Sequence, residues 1–159
     1  MDIKKEILEI GKKAKEASYD LALLDTAIKN EALAKAAENI KKKSKEIIAA
    51  NKIDLAKAKK KKLASSLIDR LLLDNDRINS IVDGILEIIK LDDPVKKILS
   101  EWERPNGLLI QKVSVPLGVI GVIYESRPNV AADAAALCLK SSNATILRGG
   151  SESFNSSTK

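Results

Sequence analysis

The stretch that most constrains the fold runs from Val115 to Gly150, VPLGVIGVIYESRPNVAADAAALCLKSSNATILRGG. An apolar run, a polar turn, an Ala- and Leu-rich segment, a second apolar run and a Gly-Gly turn follow one another in that order. In the first run Leu117, Val119, Ile120, Val122 and Ile123 cover both faces. That is expected of a strand buried on both sides, in a parallel sheet flanked by helices. Parallel neighbours need a long crossover, usually helical and almost always right-handed. Val130 to Lys140 reads as that helix, Ser141-Ser142-Asn143 as its end, and Ala144 to Leu147 as the second strand. The expected class is α/β, opening on a β-α-β unit.

Residues 1–100 read as almost all helix. Ile3, Ile7, Leu8 and Ile10 recur with a helical period, with Ala14 and Ala17 on a similar face. Asp25-Thr26 offers an N-cap for a long helix, about Ala27 to Ala50, which Asn51 ends. Asp54 then caps a short helix, Leu55 to Lys61, and Ser66-Leu67-Ile68-Asp69 has capping-box spacing. Asp74 caps a further helix, in which Ile78, Ile81, Val82, Ile85, Ile88 and Ile89 form a stripe; Asp92-Asp93-Pro94 ends it. All these stripes are expected to be core. Arg104-Pro105-Asn106-Gly107 is turn chemistry. Leu108 to Val115 partly alternates, which predicts a strand in a hairpin or at an oligomer edge.

Composition excludes several chemistries. The chain has no histidine, so no mechanism can draw an imidazole base or ligand from it. Asp and Glu are scattered, without metal-site spacing. The one cysteine, Cys138, sits in Ala135-Ala136-Leu137-Cys138-Leu139 with no basic neighbour nearer than Lys140. It reads as a buried, inert thiol rather than a nucleophile, and suits a reducing, cytoplasmic setting. No apolar run approaches the 18 or so residues of a membrane span, and no signal-peptide core is visible. The net charge of +6 is concentrated in Lys41-Lys42-Lys43-Ser44-Lys45 and in Lys57 to Lys62. A solvated helix face accounts for these runs. A basic helical module for an anion or nucleic acid is the alternative, although no aromatics are interleaved to stack on bases.

In open α/β sheets ligands bind beyond the carboxyl ends of the strands. Two loops lie there, Glu125 to Asn129 and Arg148 to Glu152. Arg148 offers a fixed fork of donors for a phosphate. Gly149 and Gly150 either admit a ligand close to the backbone or make a tight turn. Ser151 can bond a hydroxyl or phosphate, and Glu152 a ribose hydroxyl or the next helix. Asn129 is an oxyanion donor or a helix N-cap. The pattern is neither G-x-G-x-x-G nor a Walker loop.

VPLGVIGVIYESRPNV, DAAALCLKSSNATILRGGSE and RPNGLLIQKV resemble the γ-glutamyl phosphate reductase (glutamate-5-semialdehyde dehydrogenase) family of the aldehyde dehydrogenase superfamily. LIDRLLLDNDRINSIVDGILEIIKLDDPV resembles that family's N-terminal helical region. The resemblance implies an aldehyde dehydrogenase-like fold, truncated. Residues 1–100 would be helical, and 101–159 would start the Rossmann-like NADP-binding part of the same domain. It implies NADPH-dependent conversion of L-glutamyl 5-phosphate to L-glutamate 5-semialdehyde and phosphate, in L-proline biosynthesis. A cysteine attacks the acyl phosphate and hydride reduces the thioester. That cysteine belongs to a catalytic domain absent from this chain, so the chain alone is expected to be inactive.

By the same resemblance Arg148 lies near the adenosine ribose, where it suits a 2′-phosphate, with Gly149, Gly150, Ser151 and Glu152 in the cofactor loop. Asn129 matches an oxyanion asparagine and Arg127 holds an anionic substrate. The full-length form is expected to be a homo-oligomer, with glutamate 5-kinase as a partner. A non-catalytic oligomerisation fragment is a further alternative. Two departures stand out. Lys140-Ser141-Ser142-Asn143 replaces Lys-Ser-Gly-Asn, and Ala131 stands where threonine commonly follows Asn-Val.

Overall fold

The computed structural model describes residues 2–159. Five helices come first: α1 (Ile3–Leu23), α2 (Thr26–Lys42), α3 (Ser44–Lys60), α4 (Ser65–Leu71) and α5 (Asn75–Lys90). They are followed by β1 (Ile98–Glu103), β2 (Leu109–Val113), β3 (Val119–Ile123), α6 (Pro128–Lys140) and β4 (Ala144–Arg148). A 3-10 turn over Ser151–Ser153 leads into the single turn α7 (Phe154–Ser157). β3 and β4 pair in parallel, Val119 opposite Ala144 and Ile123 opposite Arg148, with α6 as the crossover. The α/β class and the β-α-β opening are those expected.

The core lies where α2, α5 and α6 meet. Leu33, Ala37, Leu73, Ile81, Val82, Ile85 and Ala136 are buried together, with Ile40, Ile88 and Leu139 packed against them. Burying a Leu or Ile side chain contributes roughly 1.5–3 kcal/mol, so the α5 stripe is a main source of stability. Asp74 caps α5 as expected, its carboxylate accepting from Arg77 N at 2.8 Å. Cys138 is 7% exposed, on α6.

Several helix boundaries differ. The long helix is two helices, broken at Lys43, and Asn51 and Asp54 lie inside α3 rather than at its ends. Both are fully buried. Asn51 donates to Leu71 O and accepts from Leu73 N, each at 2.8 Å, so its amide satisfies the backbone of the α4–α5 connection. Asp54 accepts from Ser156 N at 2.8 Å and Ser156 Oγ at 2.7 Å. It also accepts from Asn155 N at 3.2 Å and Asn155 Nδ2 at 2.5 Å. Asp25 makes no side-chain cap to α2; Thr26 Oγ1 donates instead to Asp93. The capping box does not form either: Ala64 is the N-cap of α4, and Asp69 pairs with Arg77 at 2.7 Å.

The periodic faces at the edges of the molecule are not core. On α1, Ile3, Ile7, Leu8 and Ile10 are 44–68% exposed. This helix meets the β3–β4 pair, with buried Ser18 next to Gly118. β1 was not foreseen as a strand. It forms because the Arg104–Gly107 turn, with Gly107 at φ +80, folds it antiparallel onto β2. Every residue of β1 is exposed. β3 is not buried on both sides: Ile123 is 87% exposed.

A buried polar seam joins α2 to the end of α6. Lys29, 1% exposed, pairs with Asp93 at 2.5 Å and donates to Ser142 Oγ at 2.9 Å. Lys140 Nζ donates to Asn30 Oδ1 at 2.7 Å and Ile89 O at 2.9 Å. Ser142, just beyond α6, adopts φ +57. The left-handed conformation costs a non-glycine residue roughly 1–2 kcal/mol. A buried hydrogen bond to an ammonium is worth roughly 1.5–3 kcal/mol, which offsets it.

Candidate functional site

The loops after β3 and β4 lie side by side, as parallel pairing dictates. They are joined by Ser126 Oγ, which donates to Glu152 Oε2 at 2.8 Å. Ser151 Oγ donates to Glu152 Oε1 at 3.1 Å, and Lys61 Nζ, at the end of α3, is 3.5 Å from the same oxygen. The Ser126 hydrogen bond foremost, with the Glu152 backbone N–H and Ser151 behind it, holds the Glu152 carboxyl down to about 2. Glu152 is thus the clasp between the two loops, with α3 behind it through Asp54 and Lys61.

The glycines serve that closure. A Cβ on Gly150 would lie 2.0 Å from Ser126 Oγ and 3.1 Å from Ser126 N. One on Gly149 would lie 2.9 Å from Tyr124 Oη. The close approach expected of them is made by the neighbouring loop. Gly150→Ala should therefore break the Ser126–Glu152 bond and destabilise by about 1–3 kcal/mol through overpacking. NMR titration should find the Glu152 carboxyl moved back towards 4.5. An unmoved titration would show that the loops do not depend on this contact.

Three cavities open around the loops. One of about 410 Å³ is lined by Tyr124, Leu147, Arg148, Gly149, Ser151 and Phe154 among others. Arg148 is exposed there and donates to the Gly149 carbonyl. A second, of about 370 Å³, is lined by Arg70, Glu125, Ser126, Arg127, Gly150 and Glu152 with apolar Leu63, Leu67 and Leu71. The third, of about 450 Å³, takes in Arg70, Arg77, Arg127, Asn129 and Asp133.

The expected site residues are divided among these spaces. Arg148, Gly149, Gly150 and Ser151 gather at the first, Gly150, Glu152 and Arg127 at the second, and Arg127 with Asn129 at the third. Asn129 is not an N-cap. Arg127 holds that position, Pro128 follows at the first helical residue, and Asn129 Nδ2 donates to Asp133 Oδ2 at 3.2 Å. Ser126 and Arg70 were not singled out from the sequence. Ser126 was reachable, since it lies in the loop after the first apolar run. Arg70 was not, because its partner Glu125 is 55 residues away. Among the described residues no group of His, Cys, Asp or Glu could hold a metal ion, and no helix is long and apolar enough to cross a membrane.

No family model matches the chain. Over 154 residues, 97% of its length, it is 55% identical to a protein of Clostridium tetani; over 156 residues, 98%, it is 54% identical to one of Brucella anthropi. Both are γ-glutamyl phosphate reductases. The chain spans about 36% of the length of these curated relatives, their N-terminal portion. Solved γ-glutamyl phosphate reductases agree in structure. The enzyme of Thermotoga maritima superposes with a TM-score of 0.94 at 44% identity, over 96% of this chain and 37% of that one. The enzyme of Saccharomyces cerevisiae superposes with a TM-score of 0.89 at 41% identity, over 93% and 38%.

Proposed function

We propose that this chain is the N-terminal part of an NADPH-dependent γ-glutamyl phosphate reductase. It would act in the cytoplasm on L-glutamyl 5-phosphate, yielding L-glutamate 5-semialdehyde and phosphate for L-proline biosynthesis. The observation that carries the proposal is the agreement over 96% of the chain with the Thermotoga maritima γ-glutamyl phosphate reductase. The division near residue 100, a homo-oligomeric assembly and glutamate 5-kinase as a partner belong to the same proposal.

NADPH, when bound, supplies the hydride. The chain's residues fit its anionic end: Arg148 presents an exposed guanidinium at a cavity of about 410 Å³, beside Ser151. Glu152 holds that loop from behind, its oxygens engaged by Ser126, Ser151 and Lys61. Gly149 and Gly150 let the two loops close on one another. Arg127 faces the charge of the substrate. Asn129 has one amide hydrogen on Asp133 and a second for the oxyanion that develops as the acyl phosphate is attacked. Cys138, buried in α6, is not the nucleophile. The attacking cysteine belongs to the part of the relatives' length that this chain does not span.

The basic-module alternative gains no support from the lysines. Lys57, Lys59 and Lys60 occupy the last turn of α3, where the helix dipole favours cations. The test is NADPH oxidation with L-glutamyl 5-phosphate. The chain alone should show no turnover, and co-expression with the complementary segment of the Clostridium tetani relative should restore it. Turnover by the chain alone, or none from a co-purified complex, would overturn the proposal.

A further inference from the structure

Arg70 and Arg127 line both the 450 Å³ and the 370 Å³ cavities, so they stand in the wall between them. They come from different elements, α4 and the N-cap of α6. Both turn to one carboxylate oxygen. Glu125 Oε2 is 3.3 Å from Arg70 Nη1 and 3.8 Å from Arg127 Nε. All three side chains are wet, at 47%, 45% and 70% exposure.

Their neighbour Arg77 shows what a structural arginine looks like here. It donates to the carbonyls of Asp69 and Leu72 and pairs with Asp69 Oδ1 at 2.7 Å, closing the α4–α5 connection. Arg70 reaches no backbone carbonyl among the described residues, and a single nitrogen of its fork is used. A guanidinium has five donors, matched to the paired oxygens of a carboxylate or phosphate. The positive end of α6 opens on the same cavity, which Asn129 also lines. The acidic residues there are taken: Asp69 by Arg77, Asp133 by the Asn129 amide.

We infer that Arg70 and Arg127 form a two-guanidinium clamp for an oxyanion of the substrate, and that Glu125 occupies the clamp when no substrate is present. The chemistry recognised is an exogenous carboxylate or phosphoryl group that displaces the Glu125 carboxylate. That the oxyanion is the substrate's rests on the reductase proposal; the clamp itself rests on the geometry above.

The test is NMR of the arginine Nε–Hε groups of the chain, titrated with inorganic phosphate and separately with glutarate, a dicarboxylate. Saturable shifts at Arg70 and Arg127 are expected. Whichever anion saturates at lower concentration identifies the phosphoryl or the carboxylate end as the group bound. Arg70→Gln should weaken binding by about tenfold or more, since charge-assisted bidentate bonds are the strong ones. Its exposed position leaves the fold intact. Glu125→Gln should tighten binding by about threefold or more, because it removes the internal competitor; a merely structural ion pair would not respond so. Shifts that never saturate, unchanged affinity in Arg70→Gln, or no gain in Glu125→Gln would overturn the clamp. Restored turnover in the complementation assay without anion binding here removes the clamp and leaves the reductase. Anion binding here without restored turnover does the reverse.

Discussion

Asp54→Ala is expected to melt α7 and to lower the stability of the chain by about 3 kcal/mol or more. The carboxylate is 1% exposed and accepts from both the backbone and the side chains of Asn155 and Ser156. Hydrogen bonds to a charged group contribute roughly 1.5–3 kcal/mol each, without simple additivity, and donors left unsatisfied carry a further cost. α7 has one turn, too short to hold its shape without such an anchor. Asp54→Asn keeps the volume but turns a donor towards other donors, so about half the loss should remain. Urea unfolding gives the stability, and amide exchange at Ser156 reads the local effect. Full protection of Ser156 in Asp54→Ala would falsify the anchor. The Arg148–Glu152 loop precedes this turn directly, so its order should fall with it.

Lys29→Met should destabilise by about 3 kcal/mol, with an effect that fades in acid. Removing one partner of a buried pair costs roughly 3–5 kcal/mol. The lower end applies because Asp93 keeps 17% of its side-chain surface. Partial burial pushes the Asp93 carboxyl up. Hydrogen bonds from Lys29, Thr26 and Val95, with the Lys29 charge, outweigh that and leave it at about 2, against an ordinary 3.8. A carboxyl lowered on folding stabilises above its unfolded value, and that contribution is lost as the pH falls through the folded one. Roughly 2 kcal/mol should therefore be present above about pH 4 and disappear towards about pH 2. Urea unfolding of wild type and Lys29→Met should differ most near neutrality and converge in this window. An equal gap at about pH 7 and about pH 2.5 would exclude the ion pair as its source.

Much of the fold could be read from local pattern. The apolar runs around Val119 and Ala144, with eleven residues of Ala- and Leu-rich helix between them, suffice to specify a β-α-β unit, and the α5 stripe with Asp74 specifies a capped core helix. What escaped depends on distant partners. Asn51 and Asp54 read as a helix end and a helix start because polar residues usually stop an apolar period. Here they sit inside α3 to serve backbone 20 and 101 residues further on. The α1 stripe and the outer face of β3 have the right period, but period does not say what covers a face. In the candidate site, the position of the two loops was legible because each follows an apolar run that forms one of the paired parallel strands. The Ser126–Glu152 clasp was not, since their 26-residue separation has no sequence signature. Neither was the packing of Gly149 against Tyr124 and of Gly150 against Ser126, which the paired strands bring together.

The polar seams tie the opening of the chain to its last stretch. Lys29 bonds Ser142 across 113 residues, and Asp54 bonds Ser156 across 102. A ribosome makes the chain from the amino end, so both charges leave the exit tunnel long before their partners are synthesised. Helices α2 and α3 can therefore coil early but cannot dehydrate these faces, because an unpartnered charge resists burial. Packing must wait until the region from Ser142 to Ser156 emerges, and it then closes loops of about a hundred residues at once. Nascent chains stalled before that region should hold their helices loosely and stay open to proteases and chaperones.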